Sequence, residues 1–261
     1  MRAKKSLGQN FLRSRAVTRD LVDASSIQKT NVVVEVGPGK GIVTHELLSR
    51  TKKVIAVEKD ERMIEHLKEK FATEISSKNL ILVHEDILNF NPRDWKLEIG
   101  NWKLIGSIPY YITGVFLRRF LSIEPQPKTI ALIIQKEVAQ RIVAKDGKES
   151  ILSISVKAYG EPHYIKTISK KLFSPEPKVN SAIINIDNIS KKFFTEFSEE
   201  DFFKIVKAGF KSKRKKLLSN LKKEFPKADF EKIFFDLKIS PNARAENLTL
   251  EQWGTIVKKL S

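Results

Sequence analysis

Short apolar runs alternate with amphipathic stretches through the first half of the chain. Val32-Val33-Val34-Glu35-Val36 reads as a buried strand, and a glycine-rich segment, Gly37-Pro38-Gly39-Lys40-Gly41, leads into a helical pattern over 42–48. Residues 54–57 form a second apolar run ending in Glu58, and 63–71 place Ile64, Leu67 and Phe71 on one helical side. Residues 80–83 make a third run ending near Asp86, 103–106 a fourth and 130–134 a fifth. Strands that alternate with helices predict βαβ units, because two parallel strands can be joined only by a crossover, usually helical. The expected core is therefore a largely parallel α/β sheet. Residues 163–169 and 181–186 read as two further strands without a helix between them. They predict an antiparallel hairpin at the sheet edge.

The pattern changes after Ile186. Residues 187–198 are polar and rich in lysine, asparagine and phenylalanine, and beyond them only helical spacing remains, over 199–210, 213–225, 229–237 and 249–260. Pro226, Pro241 and the Ser240-Pro241-Asn242 turn punctuate these segments. The predicted organisation is an α/β domain over 1–190 and a small all-α domain over 191–261.

Charge narrows the partners. The formal net charge is +17 over 261 residues. Such a balance favours a polyanion, with nucleic acid first and a membrane surface second. The chain has no cysteine, so thiolate zinc sites and cysteine nucleophiles are excluded. His45, His66, His84 and His163 are scattered away from metal-ligand spacing, and no metal is expected. No apolar run approaches the ~20 residues that span a bilayer. The basic N-terminus lacks the long apolar core of a signal peptide. A cytoplasmic protein without a membrane partner is expected.

Two segments carry candidate chemistry. A strand, a glycine-rich turn and a helix aim backbone N–H groups at a ligand. The dinucleotide fingerprint needs a glycine at its sixth position, where this chain has Ile42; that departure argues against a nicotinamide oxidoreductase. The G-x-G-x-G spacing is similar to the nucleoside-binding turn of S-adenosylmethionine-dependent methyltransferases. Glu58 follows ~20 residues on, where a carboxylate can take two ribose hydroxyls, and Asp86 can accept from an adenine amine. The bland reading of Glu58 is a solvated helix start. The second segment is Ser107-Ile108-Pro109-Tyr110. An exocyclic amine on a nucleobase is a poor nucleophile, since its lone pair is delocalised into the ring. Acceptors on its N–H groups favour a pyramidal nitrogen, and the Ser107 hydroxyl and Ile108 carbonyl are two such acceptors. Pro109 fixes the turn and has no N–H to compete for them. Tyr110 offers a ring on which an extruded base can stack.

These residues, in order along the chain, resemble the rRNA adenine dimethyltransferase family. The likeness starts at Lys4-Lys5-Ser6-Leu7-Gly8-Gln9-Asn10-Phe11-Leu12 and runs through Glu35–Gly41, Val57-Glu58-Lys59-Asp60, His84-Glu85-Asp86-Ile87-Leu88 and Ser107–Tyr110. It continues in Gln135-Lys136-Glu137-Val138-Ala139-Gln140-Arg141, in Phe173-Ser174-Pro175-Glu176-Pro177-Lys178-Val179-Asn180-Ser181 and in Ala243-Arg244-Ala245-Glu246-Asn247-Leu248. The resemblance implies a Rossmann-like S-adenosylmethionine-dependent methyltransferase sheet followed by a helical RNA-binding domain. It implies dimethylation of two adjacent adenosines near the 3′ end of small-subunit rRNA, in naked or immature 30S form, by a monomer. Asn10 and Leu12 would close over the cofactor, with Gly37, Gly39, Glu58, Asp86 and Ser107 completing its contacts. Tyr110 and Phe173 would sandwich the target adenine; the plainer reading of Phe173 is a core aromatic before a Pro-rich turn. The family usually has asparagine where this chain has Ser107. Macrolide-resistance relatives that act on large-subunit rRNA also tolerate serine there. Two alternatives therefore stand beside the main reading, a methyltransferase of that type and a non-catalytic rRNA-binding assembly factor.

Residues 204–223 carry nine basic residues and no acidic one. Helical spacing predicts Phe210, Leu217, Leu218 and Leu221 facing inward and the lysines facing out, Lys211, Lys213, Arg214, Lys215 and Lys216 among them. The bland reading is a solvated helix face. RNA contact through phosphates is expected, with Lys4, Lys5, Arg13, Arg118 and Arg119 extending the patch.

Overall fold

The computed structural model describes residues 3–4 and 7–260. They fall into two compact units, Met1–Ala139 with Glu161–Ile189 and Gln140–Gly160 with Ser190–Ser261. The first contains β1 (Phe11–Leu12), α1 (Arg15–Ala24), β2 (Val32–Val36), α2 (Ile42–Arg50), β3 (Lys53–Glu58), α3 (Glu61–Lys70) and α4 (Ala72–Ser76). It continues with β4 (Leu80–His84), β5 (Trp102–Ser107), α5 (Thr113–Ser122), β6 (Thr129–Gln135), β7 (Glu161–Ile168), β8 (Phe173–Ser174) and β9 (Ser181–Asp187). Helix α6 (Lys136–Ile142) leads out of it.

Seven strands form one sheet in the order β4-β3-β2-β5-β6-β9-β7. Strands β2 to β6 pair in parallel, with Val34 opposite both Ile55 and Leu104. β2 is central and covered on both faces, which is why it reads as a continuous valine run and not as an alternation. Val33, Val54, Ala56, Ile105 and Ile133 meet Leu21 of α1, Leu47 of α2 and Leu67 of α3 in one buried cluster. Each such valine, leucine or isoleucine contributes about 1.5–3 kcal/mol by leaving water. The late hairpin is as expected, β9 pairing antiparallel with both β6 and the edge strand β7. Gly106 is fixed by this packing: a Cβ there would stand 2.3 Å from the Val36 carbonyl oxygen.

Because β2 to β5 run the same way, Gly37, Glu58, Asp86 and Ser107 all lie at or just past the carboxyl ends of neighbouring strands. That end of an open parallel sheet is where ligands bind. One pairing was not foreseen. β1 and β8 form a short antiparallel ladder, Phe11 opposite Ser174 and Leu12 opposite Phe173. Two-residue strands give no periodicity to read.

The second unit holds α7 (Ile151–Lys157), α8 (Glu199–Gly209), α9 (Leu217–Glu224), α10 (Phe230–Asp236) and α11 (Leu250–Lys258). Its boundary at 189/190 lies within the expected linker, but it also takes in Gln140–Gly160, which the sequence reading placed in the 1–190 domain. Aromatic packing explains the difference. Tyr159 lies 5.0 Å from Phe194 and 6.2 Å from Phe203, ring centre to ring centre, and its hydroxyl donates to Glu199 at 2.6 Å. Phe193, Phe197 and Phe202 complete the cluster, so the linker phenylalanines pack into it, Phe197 buried and Phe193 and Phe194 half-buried.

The basic run is divided between two helices, as its spacing predicts, but the second begins four residues later than position 213. α8 stops at Gly209, residues 211–216 make turns, and α9 starts at Leu217. Asn220 explains the break, its Nδ2 donating to the carbonyls of Gly209 at 2.7 Å and Ser212 at 3.1 Å. Phe210, Leu217 and Leu221 are buried as expected, whereas Leu218 is only half-buried.

Candidate active site

The strand ends surround a cavity of about 250 Å³. Its lining includes Asn10, Leu12, Gly37, Gly39, Glu58 and Asp86, together with Ser107, Ile108, Pro109, Tyr110 and Phe173. Every cofactor and catalytic candidate named from the sequence thus reaches one space.

Glu58 ends β3 and is 7% exposed. The solvated helix start is overturned, because α3 begins at Glu61 with Asp60 as its cap. Both Glu58 oxygens are already held by backbone: Oε1 accepts from Asp60 N–H at 2.9 Å and Oε2 from Gly39 N–H at 3.1 Å. Each carboxylate oxygen has two lone pairs, so one on each remains to accept from a ligand. Burial raises the Glu58 pKa, while the backbone donors oppose that shift. Gly39 has φ +54, and a Cβ there would sit 3.0 Å from the Phe11 ring. Only glycine fits where the turn bends back to Glu58 beneath that ring.

Asp86 follows β4. Its Oδ1 accepts from Leu88 N–H at 3.0 Å and its Oδ2 from Lys59 Nζ at 2.7 Å. Burial would raise its pKa, but Lys59 and the Leu88 N–H hold it below the usual carboxylate value. It remains ionised at neutral pH and can accept.

A strap over residues 7–12 bounds the cavity. Gln9 Nε2 donates to Asp60 Oδ2 at 2.8 Å, and Asp60 is also held by the Arg62 guanidinium at 2.6 Å. The Arg62 hydrogen bonds keep the Asp60 carboxyl far below the usual range. Asn10 Nδ2 donates to the Gly8 carbonyl at 3.2 Å, and Leu12 is paired with Phe173. Asn10 and Leu12 are named by the sequence and Asp60 is expected at a helix N-terminus, where it does cap α3, but its bond to Gln9 is not foreseen. Their place inside the quoted motifs was the available signal.

Ser107 ends β5 and the polypeptide turns at Pro109, whose φ is −56. Tyr110 is half-buried and its hydroxyl is 2.8 Å from that of Ser181. Phe173 is 3% exposed; it belongs to the core cluster and lines the cavity as well.

The whole chain, residues 1–261, matches the ribosomal RNA adenine dimethylase family. The chain belongs to that family. It is 39% identical to "Ribosomal RNA small subunit methyltransferase A" of Dehalococcoides mccartyi, over 97% of this chain and 87% of the relative. It is 37% identical to the protein of that name from Mycoplasmopsis pulmonis, over all of both chains. A crystal structure of a dimethyladenosine transferase from Plasmodium falciparum superposes with a TM-score of 0.80 at 24% identity, covering 94% of this chain and 95% of that one. The α/β methyltransferase fold is thereby shown. The protein is an rRNA adenine dimethyltransferase that uses S-adenosylmethionine. The site's chemistry fits that group: a buried carboxylate with free lone pairs for ribose, a second for adenine, and a glycine turn for close backbone approach.

The basic candidates of the helical unit form their own region. Lys213, Arg214, Lys215 and Lys216 are exposed on the α8–α9 connection. Lys211 is also exposed but ion-paired with Glu224 of α9. The suggested extensions divide. Arg119 donates to the Phe90 carbonyl at 2.9 Å and lies over the Phe120 ring, so it is committed to packing and drops out. Arg118 is exposed. Arg13 donates to the Lys171 carbonyl at 3.4 Å, and Lys4 lies 3.6 Å from Asp60. Lys5 lies outside the described residues.

Proposed function

We propose that the cavity brings S-adenosylmethionine and the target adenine together, and that the substrate is the pair of adjacent adenosines near the 3′ end of small-subunit rRNA. One observation carries this reading: Glu58, Asp86, Ser107, Tyr110 and Phe173, distant in sequence, line a single space at the carboxyl edge of the sheet. Glu58 takes the ribose hydroxyls and Asp86 the adenine amine of the cofactor, with Gly37, Gly39, Asn10 and Leu12 around it. When bound, S-adenosylmethionine supplies an electrophilic methyl on a sulfonium. The Ser107 hydroxyl and Ile108 carbonyl accept the N–H groups of the target amine and turn its lone pair outward. Tyr110 and Phe173 hold the base between them. After transfer the nitrogen is strongly acidic and its proton goes to water, so no side-chain base is required. Position and fixed dipoles carry the rate.

The relatives' name, small-subunit methyltransferase, supports that substrate over a large-subunit one, and the intact cavity speaks against a non-catalytic assembly factor. Lys211, Lys213, Arg214, Lys215 and Lys216 serve RNA phosphates. No described helix is long and apolar enough to cross a membrane. The protein acts as a monomer in the cytoplasm, on an immature 30S particle or its rRNA.

The test is methylation of small-subunit particles from a strain lacking the enzyme, with the modified adenines mapped by mass spectrometry. Dimethyladenosine at two adjacent positions is expected. Methylation of large-subunit rRNA alone, or of neither, overturns the substrate.

A further inference from the structure

The cavity wall at Tyr110 is half-buried, and a ring that is half in solvent can swing about its side-chain torsions. Its backbone is well fixed: Thr113 Oγ1 donates to the Tyr110 carbonyl at 3.1 Å, and Ile112 N–H donates to the Pro109 carbonyl at 3.1 Å. Those bonds do nothing for the far end of the ring. The phenolic oxygen meets one partner there, Ser181 Oγ at 2.8 Å. Ser181 is 0% exposed and is the first residue of β9. β9 lies between β6 and β7, with Ser181 opposite Gln135 and Ile168. Its side chain is anchored on a strand paired on both sides, 71 positions from Tyr110. Burial keeps the phenol protonated well above neutral pH, so the pair always has a proton to share.

We infer that Ser181 is a positioning residue for methyl transfer: its hydroxyl tethers the Tyr110 ring at the angle that receives the extruded adenine. Ser181 does not line the cavity, so it acts through Tyr110. The inference rests on the reading of Tyr110 as a base-stacking wall. It adds that the ring's orientation, beyond its presence, sets the rate. A free ring can still stack, but it holds the base in several poses, few of them aimed for attack.

The experiment is a cycle of Ser181→Ala, Tyr110→Phe and the double variant, in the full chain with small-subunit particles as substrate. Ser181→Ala should lower kcat about tenfold, the effect of one lost hydrogen bond, with S-adenosylmethionine affinity unchanged. Tyr110→Phe should match it, and the double variant should fall no further. An RNA carrying 2-aminopurine at the target position gives a second readout. Its fluorescence, quenched by stacking in the wild type, should partly recover in both single variants. If Ser181→Ala fails to fold, Tyr110→Phe removes the same bond and leaves the buried serine in place. Wild-type kcat and quenching in both single variants, or multiplicative losses in the double variant, overturn the inference. Full turnover by Tyr110→Ala overturns the wall itself. Loss of turnover by Tyr110→Ala, with Tyr110→Phe and Ser181→Ala at wild-type rate, overturns the tether alone.

Discussion

The cavity and the α8–α9 turn are both built around charge, in opposite ways. Glu58 is buried with each oxygen held by a backbone N–H, so its geometry is set before any ligand arrives. Lys213, Arg214, Lys215 and Lys216 stand in solvent, where each interaction is weak and screened by salt and the effect comes from number. A preorganised charge recognises particular atoms; a loose cluster recognises any phosphate chain. Specific chemistry and RNA retention can therefore be broken separately.

The largest expected effect lies behind the cavity. Glu35 on β2 is 1% exposed, and its Oε2 has no hydrogen-bond partner among the described residues. Burial, with the charge of Glu58 nearby, pushes its carboxyl from 4.5 up to about 8. A neutral Glu35 spares Glu58 a second negative charge. The native state thus holds a proton that the unfolded chain releases above about pH 4.5. That contribution to stability is complete at low pH and is lost as pH rises through about 8. Glu35→Gln should remove it, gaining on the wild type by up to about 5 kcal/mol between pH 4.5 and 8. Urea unfolding at pH 5 and pH 8.5 measures this, and equal pH dependence in both proteins would show that Glu35 titrates normally.

Next is Glu58→Ala, which should weaken S-adenosylmethionine binding by roughly 1.5–3 kcal/mol through loss of a charged acceptor. The wild type itself should bind less tightly as falling pH protonates Glu58, and this onset comes at higher pH than for an ordinary glutamate because burial has raised its pKa. Calorimetry across pH tests both statements. Unchanged affinity in the variant removes Glu58 from the site.

Replacing Lys213, Arg214, Lys215 and Lys216 together by glutamine should leave cofactor affinity alone and weaken RNA binding. The slope of log affinity against log salt should flatten by about 3, near the value for four lost phosphate contacts. An unaltered slope returns these residues to a merely solvated surface.

The two regions also differ in how much the chain discloses. Parallel strands put their carboxyl ends on one edge, so finding Glu58 after an apolar run was enough to place it beside Gly37 and Ser107. Nothing comparable constrains the basic run. Its spacing fits helices over 199–210 and 213–225, yet residues 213–216 lie in the connection, where Asn220 holds the Gly209 and Ser212 carbonyls. Contacts between distant segments were hidden for the same reason. The Phe11–Ser174 ladder, the Gln9–Asp60 bond and the docking of Tyr159 against Phe194 are properties of the folded chain. No local period encodes them.

The smallest expected effect separates the two methyl transfers. Ser107 stands where the family usually has asparagine, at the end of β5 and half-buried in the cavity wall. On the proposed reading, the Ser107 hydroxyl and Ile108 carbonyl each accept one N–H of the amine in the first transfer. After it, one N–H remains and the bulkier nitrogen must rotate to aim its lone pair again. A hydroxyl on one carbon reaches less far than an amide and has no fixed plane, so it holds that second geometry less firmly. Monomethyl product should accumulate early in the time course, and Ser107→Asn should shift the ratio toward dimethyl product. Ser107→Ala should slow both steps by about 1 kcal/mol, the worth of one hydrogen bond. If Ser107→Ala matches the wild type in product ratio and in rate, the hydroxyl accepts nothing in the transition state, and the proposed acceptor role falls to the Ile108 carbonyl.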